Sequence, residues 1–403
     1  MPALPAAYAG TDSCPPSRDG RRTLCSAGVA HALHDGFTDA IYVLLPVWQA
    51  EFGLGYGALA LLRGLYAGAM AALQVPAGRL AEKLDGRAIL AVGTLLAGAG
   101  YALAGCSGGL LGLCGALVLS GAGSSTQHPI ASAAVSRAYG AAARGPLGTY
   151  NFTGDLGKAA IPALVSLLLT LVSWRTSLWL LAALGAATAV VVALLMPPVA
   201  RAPAIEAVQR KPGKGGSGRG FWLLFVIGML DTGVRMGVMT FLPFLLQAKG
   251  ASLPTIGLGL ALVFIGGAAG KFACGWLGAR FGVLRTMLLT EGLTALGIGA
   301  ILLLPLLACL LILPLLGIVL NGTSSVVYGS VPELVPAERA ERAFALFYTG
   351  AIGSGAIAPV AFGLLGDVVG ITSATVATAI VALATYPLAF ALAPHLSEAP
   401  QVG

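Results

Sequence analysis

Twelve apolar runs, each long enough to cross a lipid bilayer, follow one another along the 403-residue chain. They lie at about 27–50, 57–80, 88–106, 109–135, 146–172, 176–197, 221–247, 254–278, 284–304, 307–333, 342–366 and 370–393. A bilayer core of about 30 Å is crossed by roughly 20 residues of helix. Lipid offers no water to unpaired backbone N–H and C=O groups, so each run must close its own hydrogen bonds as a helix. A membrane β-barrel would show shorter, alternating segments. The pattern therefore predicts an all-α membrane protein of twelve transmembrane helices. Composition agrees: 57% of residues are hydrophobic and only 10% are Asp, Glu, Lys or Arg, against about 25% in a soluble domain. That balance excludes a soluble globular enzyme and also a disordered chain, which needs low hydrophobicity and high charge.

The basic residues give the orientation. The tail before the first run and the loops on its side carry sixteen Lys and Arg, among them Lys83, Arg87, Arg280 and Arg285, whereas the opposite loops carry Arg175 and Lys249 alone. Positive charge marks the cytoplasmic face, so both termini are expected in the cytoplasm of an inner-membrane, multi-pass protein. The net charge of +7 is explained by this topology, and no nucleic-acid partner is expected. The first 26 residues lack an apolar signal core, so the first span itself is expected to direct insertion. Residues 198–220, with Lys211-Pro-Gly-Lys214-Gly-Gly-Ser-Gly-Arg219, read as a flexible linker. The expected division is a tail at 1–26, six helices at 27–197, the linker at 198–220, six helices at 221–393 and a tail at 394–403.

The two halves repeat. Pro46 matches Pro243, Gly78 matches Gly275 and Lys83 matches Arg280, each at an offset of 197. A parallel repeat implies two bundles related by a pseudo-two-fold axis along the membrane normal, with a site between them and rocking about it. The six cysteines have no CxxC spacing and read as apolar packing residues. No HExxH or metal-ligand spacing appears. No enzymatic activity, cofactor or metal is expected.

Two stretches resemble the loop motif of the major facilitator superfamily: Gly78-Arg-Leu-Ala-Glu82-Lys83-Leu-Asp-Gly-Arg87 and Gly275-Trp-Leu-Gly-Ala-Arg280-Phe-Gly-Val-Leu-Arg285. The resemblance makes Gly78, Glu82, Lys83, Arg87, Gly275 and Arg280 gating residues. Glu82 replaces the usual aspartate, and Ala279 stands where the second acid would be. A narrower resemblance is to the fosmidomycin-resistance-like branch. It rests on His31-Ala-Leu-His-Asp35, Leu45-Pro46, Glu51-Phe-Gly-Leu54, Gly121-Ala-Gly-Ser-Ser-Thr-Gln-His128-Pro129 and Gly154-Asp-Leu-Gly157 with Pro162. It implies proton-driven export of a small, often anionic, drug or metabolite. The superfamily's first, fourth, seventh and tenth spans line its cavity.

Charges within spans are the informative residues, since each costs roughly 2.5–3.5 kcal/mol to insert. The first span carries His31, His34, Asp35 and Asp39 on neighbouring positions of one helical surface. A proton carrier must titrate near ambient pH, which a carboxylate or histidine can do and an arginine cannot. Asp35 is the first candidate for proton coupling, with His34, Asp39 and His31 after it. Arg235 and Lys158 are candidates to clamp an anion between the bundles, Arg235 through its bidentate fork. Asp155, Asp231, His128, Arg63 and Lys271 join the substrate-binding set, with Tyr150 and Tyr348 at equivalent places in the repeat. The competing arrangement neutralises Asp155 with Lys158 and Asp231 with Arg235 inside single helices. Glu291 reads as structural, and Trp48 and Trp174 as interfacial anchors. The expected function is proton-coupled export of a small organic anion or drug by a monomer. Import of an anionic metabolite and a non-transporting sensor or scaffold are the alternatives.

Overall fold

The computed structural model describes residues 17–198, 218–336 and 340–396. Most of the expected linker, part of each expected tail, and Arg339 lie outside these residues. The described chain is all helix apart from its turns. The first half contains α1 (Arg18–Phe52), α2 (Tyr56–Lys83), α3 (Gly86–Gly105), α4 (Leu110–Ser124), α5 (Gln127–Tyr139), α6 (Arg144–Leu171) and α7 (Trp174–Leu195). The second contains α8 (Gly218–Ala248), α9 (Leu253–Phe281), α10 (Val283–Leu303), α11 (Leu306–Gly329), α12 (Ala340–Val369), α13 (Ile371–Leu383) and α14 (Thr385–Leu392).

Ten stretches among the described residues are helical, apolar and long enough to cross a membrane. α1 adds an eleventh: its hydropathy is diluted by four polar side chains, yet His31, His34, Asp35 and Asp39 are all buried inside the protein. α4 and α5 together form the twelfth, the fourth in chain order. Their break has a local cause. Pro129 has no N–H and its ring crowds the carbonyl four residues earlier, so the chain leaves the helix at Ser125 and Thr126. The two hydroxyls there donate back along the chain, Ser125 to Ala122 O at 2.6 Å and Thr126 to Gly123 O at 3.0 Å, carbonyls that also accept the tightened i→i+3 bonds from the same residues' N–H groups. The last span breaks the same way between α13 and α14, ahead of Pro387, with Thr385 donating to Ala382 O.

The twelve spans form two six-helix bundles, α1–α7 and α8–α14. Packing repeats with the sequence. α1 lies on α6, α2 on α4 and α3 on α7; correspondingly, α8 lies on α12, α9 on α11 and α10 on α13. Small residues set the closest crossings. A Cβ on Gly157 would collide with the backbone of Ala32, so α6 can meet α1 only with glycine there.

The bundles meet along two equivalent seams, α2 with α12 and α6 with α9. Both seams are shut on the side away from the basic loops. There the Asp367 carboxylate of α12 accepts from the Tyr56 and Gly57 N–H groups at 2.6 and 3.0 Å, capping α2 from the opposite bundle. The Tyr56 ring packs on Phe241 and Phe244 of α8. Toward the basic loops the seams part. A space of about 600 Å³ separates Gly68–Val75 of α2 from Tyr348–Ala356 of α12. A second, of about 670 Å³, separates Gly148–Phe152 of α6 from Ala268–Phe272 of α9. The protein is closed on the far side and open on the basic side.

Candidate functional site

The closed seams and the central helices enclose a cavity of about 210 Å³ near mid-helix. Seven lining side chains are formally charged: Asp35 and Asp39 from α1, Arg63 from α2, Asp155 and Lys158 from α6, Arg235 from α8 and Lys271 from α9. The opening between α6 and α9 adjoins it and shares Asp35, His128, Asp155, Lys158 and Lys271. Sequence spacing identified all seven; chain topology could not say that they converge.

One chain of ionic contacts runs from the first bundle to the second. His31 Nε2 lies 3.2 Å from Asp35 Oδ2, Lys158 Nζ is 3.2 Å from the same oxygen, and Lys158 also reaches Asp155 Oδ1 at 3.8 Å. Lys271 Nζ then donates to both oxygens of Asp155, at 2.7 and 2.8 Å, across the α6–α9 seam. His128 Nε2 approaches Asp35 from the other side at 3.8 Å. Gly154 makes room: a Cβ there would sit 2.6 Å from His31 Nε2 and 2.7 Å from Asp35 Oδ2.

The His31 ring shows where a proton is held. Its Nδ1 is 2.8 Å from the Tyr150 carbonyl oxygen, which only accepts, and its Nε2 faces a carboxylate. Both nitrogens therefore meet acceptors. Either the ring is doubly protonated or Asp35 carries the proton, and in both cases the pair holds one more proton than a neutral histidine beside a carboxylate.

His34 behaves differently. Its Nε2 meets Thr94 Oγ1 at 3.0 Å, and Thr94 gives its own proton to Leu90 O, so Nε2–H donates. Its Nδ1 accepts from Ser124 Oγ at 3.0 Å, and Tyr66 OH completes the chain at 2.8 Å from Ser124. Every proton is placed with a neutral ring. His34 faces α3 and α4, away from the cavity, because it lies about 100° around α1 from Asp35. Its position gives it no contact with the proton-bearing pair's cavity, contrary to the shared face expected from the sequence.

Arg63 and Asp39 form a second, looser pair at 3.9 Å, with the guanidinium over the Tyr42 ring at 5.2 Å. Tyr42 OH in turn reaches Met236 Sδ on α8 at 3.5 Å. Arg235 is set apart. The other three cavity cations have carboxylates within 4.0 Å, but among the described residues Arg235 has none, and its buried Nε lacks any hydrogen-bond partner. The expected internal pairing is thus present for Asp155 with Lys158 but absent for Asp231 with Arg235.

Three expected lining residues lie elsewhere. Tyr150 is buried, stacked under His31 at 4.2 Å with its hydroxyl accepting from Gln127 Nε2 at 2.7 Å, so it supports the histidine. Tyr348 stacks on Tyr328 and lines the α2–α12 opening, outside the charged cavity. Asp231 is buried in the second bundle and is not among the residues that line the charged cavity. Trp48 and Trp174 are also buried within the protein, at 0% and 8% exposure, and do not face lipid headgroups as expected.

The loop-motif residues surround the open side. Gly78 faces Pro129 of α5, and Arg87 pairs at 3.2 Å with Asp85, whose carboxylate also caps α3. Asp85 is the capping residue that sequence reading passed over, although an acid just before a helix start is its usual signal. Glu82 and Lys83 are exposed at the end of α2, and Glu82 has no ion pair among the described residues. Gly275 lies in open space, and Arg280 covers Trp276 and Phe281.

Comparison with known proteins places this geometry. The sequence profile of the Major Facilitator Superfamily matches residues 27–222 and again 221–402. A bacterial homologue of the human lysosomal transporter Spinster, inward-facing and occupied, superposes with a TM-score of 0.80 at 15% identity, covering 94% of this chain and 98% of that one. The nucleoside transporter NupG gives 0.78 at 14% identity, covering 93% and 100%. A peptide transporter in complex with sulfate gives 0.73 at 15% identity, covering 92% and 94%. No curated protein matches the chain in sequence.

Proposed function

Because the chain belongs to the major facilitator superfamily, and so to membrane transporters rather than enzymes, we propose that it is a proton-coupled secondary transporter of a small organic anion. It works by alternating access as a monomer in the inner membrane, with both termini cytoplasmic and a linker at 198–220 joining the bundles. The observation that carries the anion is the cavity's charge: four cations, Arg63, Lys158, Arg235 and Lys271, against three carboxylates, Asp35, Asp39 and Asp155. Buried charge of one sign calls for a counter-charge. Arg235 is the cation left over after internal pairing, and its planar fork suits a carboxylate, phosphate or phosphonate.

The proton acts on the same set. With a proton on His31–Asp35, Asp35 is shared between an imidazolium and Lys158, and Lys158 is freer to meet a ligand. When that proton leaves, Asp35 turns wholly to Lys158 and the positive excess shrinks. Proton and anion therefore favour each other's binding, and this coupling is reciprocal. Co-binding supports movement of both in one direction, which is uptake under an inward proton gradient. Export against protons is the second reading, favoured by the His31–Asp35 and Gly154–Gly157 sequence motifs. In either case the α6–α9 bridge from Lys271 to Asp155 links the proton site to the seam that must open and close.

Proteoliposomes test the reading. An imposed gradient of small carboxylates or phosphonates should drive proton flux, in the direction of the anion for uptake and opposite to it for export. Asp35→Asn should keep anion exchange but lose proton-driven accumulation. Full accumulation in that variant would remove Asp35 from coupling, and an absence of anion flux in the wild type would remove the transport reading.

A further inference from the structure

Three metal-ligating side chains meet at the α6–α9 opening. His31 Nε2 and Asp35 Oδ2 are 3.2 Å apart, and His128 Nε2 lies 3.8 Å from Asp35 Oδ1. One donor atom from each residue falls within 4.8 Å of the other two. Two imidazole nitrogens and one carboxylate oxygen are a donor set for divalent transition metals. Spacing along the chain pointed to no metal site, because His128 comes from α5 and meets α1 only in the folded protein.

The donors are already turned toward one another. His31 is 4% exposed, and its Nδ1–H donates to the Tyr150 carbonyl oxygen at 2.8 Å, which aims Nε2 at Asp35. A ligating histidine is normally held this way, through its other nitrogen. An Nε2 lone pair facing a carboxylate needs positive charge between them; a proton supplies it, and so does a metal ion. The His128 ring stands edge-on to His31 at 5.3 Å. Its side chain is 42% exposed, so it is free to close to the donor spacing of about 3.4 Å that tetrahedral bonds of about 2.1 Å require. Local charge also permits a dication. The opening is lined by Asp35 and Asp155 against Lys158 and Lys271, which balance, whereas Arg63 and Arg235 line the cavity beyond. Lys158 competes for Asp35 Oδ2 at 3.2 Å, but Asp155, 3.8 Å away, offers it a second carboxylate.

We propose that His31, Asp35 and His128 bind one divalent transition-metal ion of the zinc or cobalt type, admitted from the basic side through the α6–α9 opening. The ion takes Asp35 from Lys158, which turns to Asp155. Magnesium and calcium, which favour all-oxygen shells, are rejected. The site does not rest on the function proposed above. Its consequence does: an ion on Asp35 takes the place of the coupled proton and stops proton-driven accumulation.

Co²⁺ titration of the purified full-length protein in lipid nanodiscs, with any affinity tag removed, tests the site without transport. Near neutral pH the visible absorption of bound Co²⁺ should saturate at one ion per chain. Zn²⁺ should displace it and Mg²⁺ should not. His128→Asn and Asp35→Asn should each weaken binding at least about tenfold. His128 is half-exposed, so its variant should keep the wild-type melting temperature. His395→Asn, in the short turn after α14, should bind as the wild type does. Lys158→Gln, which removes the competing cation, should bind about tenfold more tightly. No saturation by about 1 mM Co²⁺, or equal binding in His128→Asn, overturns the site. Binding that does not tighten in Lys158→Gln overturns the handover of Asp35. If Co²⁺ binds as described but no anion is transported, the function proposed above fails and the metal site stands.

Discussion

The two bundles are built alike and charged differently. α1 on α6 repeats as α8 on α12, and α3 on α7 as α10 on α13. Yet the first bundle gathers His31, Asp35, Asp155 and Lys158 into a continuous set of ion pairs, while the second offers Arg235, which has no ion pair among the described residues and whose buried Nε has no partner. Packing is what the repeat conserves, because small residues and prolines at equivalent places fix how close helices come. Chemistry sits where the repeat fails. A symmetric scaffold with an asymmetric cavity gives one bundle that holds charge in balance and another that leaves it uncompensated.

The comparison can be broken first at Arg235. Replacing it with Gln removes the uncompensated cation, and affinity for a small anion should fall about 10- to 100-fold, the equivalent of about 1.5–3 kcal/mol for a charged hydrogen bond. Calorimetric titration checks this, and an unchanged affinity would move the anion to Lys158 and Arg63. Next comes the contact that joins the bundles. Asp155→Asn leaves Lys271 with a neutral partner across the α6–α9 seam. Because Lys271 is 44% exposed, water offsets much of the loss, and the seam should open about 3- to 10-fold more often. Spin-label distances between the basic-side ends of α6 and α9 would lengthen; an unaltered distribution would make the bridge incidental.

Smaller effects sharpen the contrast between the closed and open sides. Asp367→Ala removes the cap that α12 places on α2, worth about 1 kcal/mol. Labelling of a cysteine placed at Leu54, which leaves the Tyr56 ring in place, should then rise about fivefold, and constant labelling would show that the aromatic packing alone shuts the far side. Glu82→Ala, on the open side, should leave thermal stability within about 0.5 kcal/mol; a larger loss would reveal a partner that this conformation does not display.

The fold was legible because lipid imposes a simple rule. Apolar runs of spanning length must be helices, and even the break at Ser125–Thr126 follows from Pro129. The site was legible one residue at a time: charges in an apolar span are expensive, so Asp35, Lys158, Arg235 and Lys271 stood out. What the sequence could not show was rotation and partnership. His34 is one residue from Asp35, yet a 100° turn sends it to Thr94 and Ser124. Tyr150 looked like a wall of the cavity and is instead the floor beneath His31. Glu291 read as structural, and it lies 3% exposed with its Oε1 lacking a hydrogen-bond partner among the described residues.

The central claim is that the cavity is an anion site whose occupancy rises with protonation. The most direct measurement is a thermal-shift comparison of anionic, neutral and cationic small molecules at two pH values, on the wild type and on Arg235→Gln. Anions alone should stabilise the wild type, by about 2.7 kcal/mol at 100 times the dissociation constant, more strongly at the lower pH, and Arg235→Gln should lose the effect. Stabilisation by neutral or cationic compounds with none from anions would contradict it, and would make Asp35, Asp39 and Asp155 the binding groups.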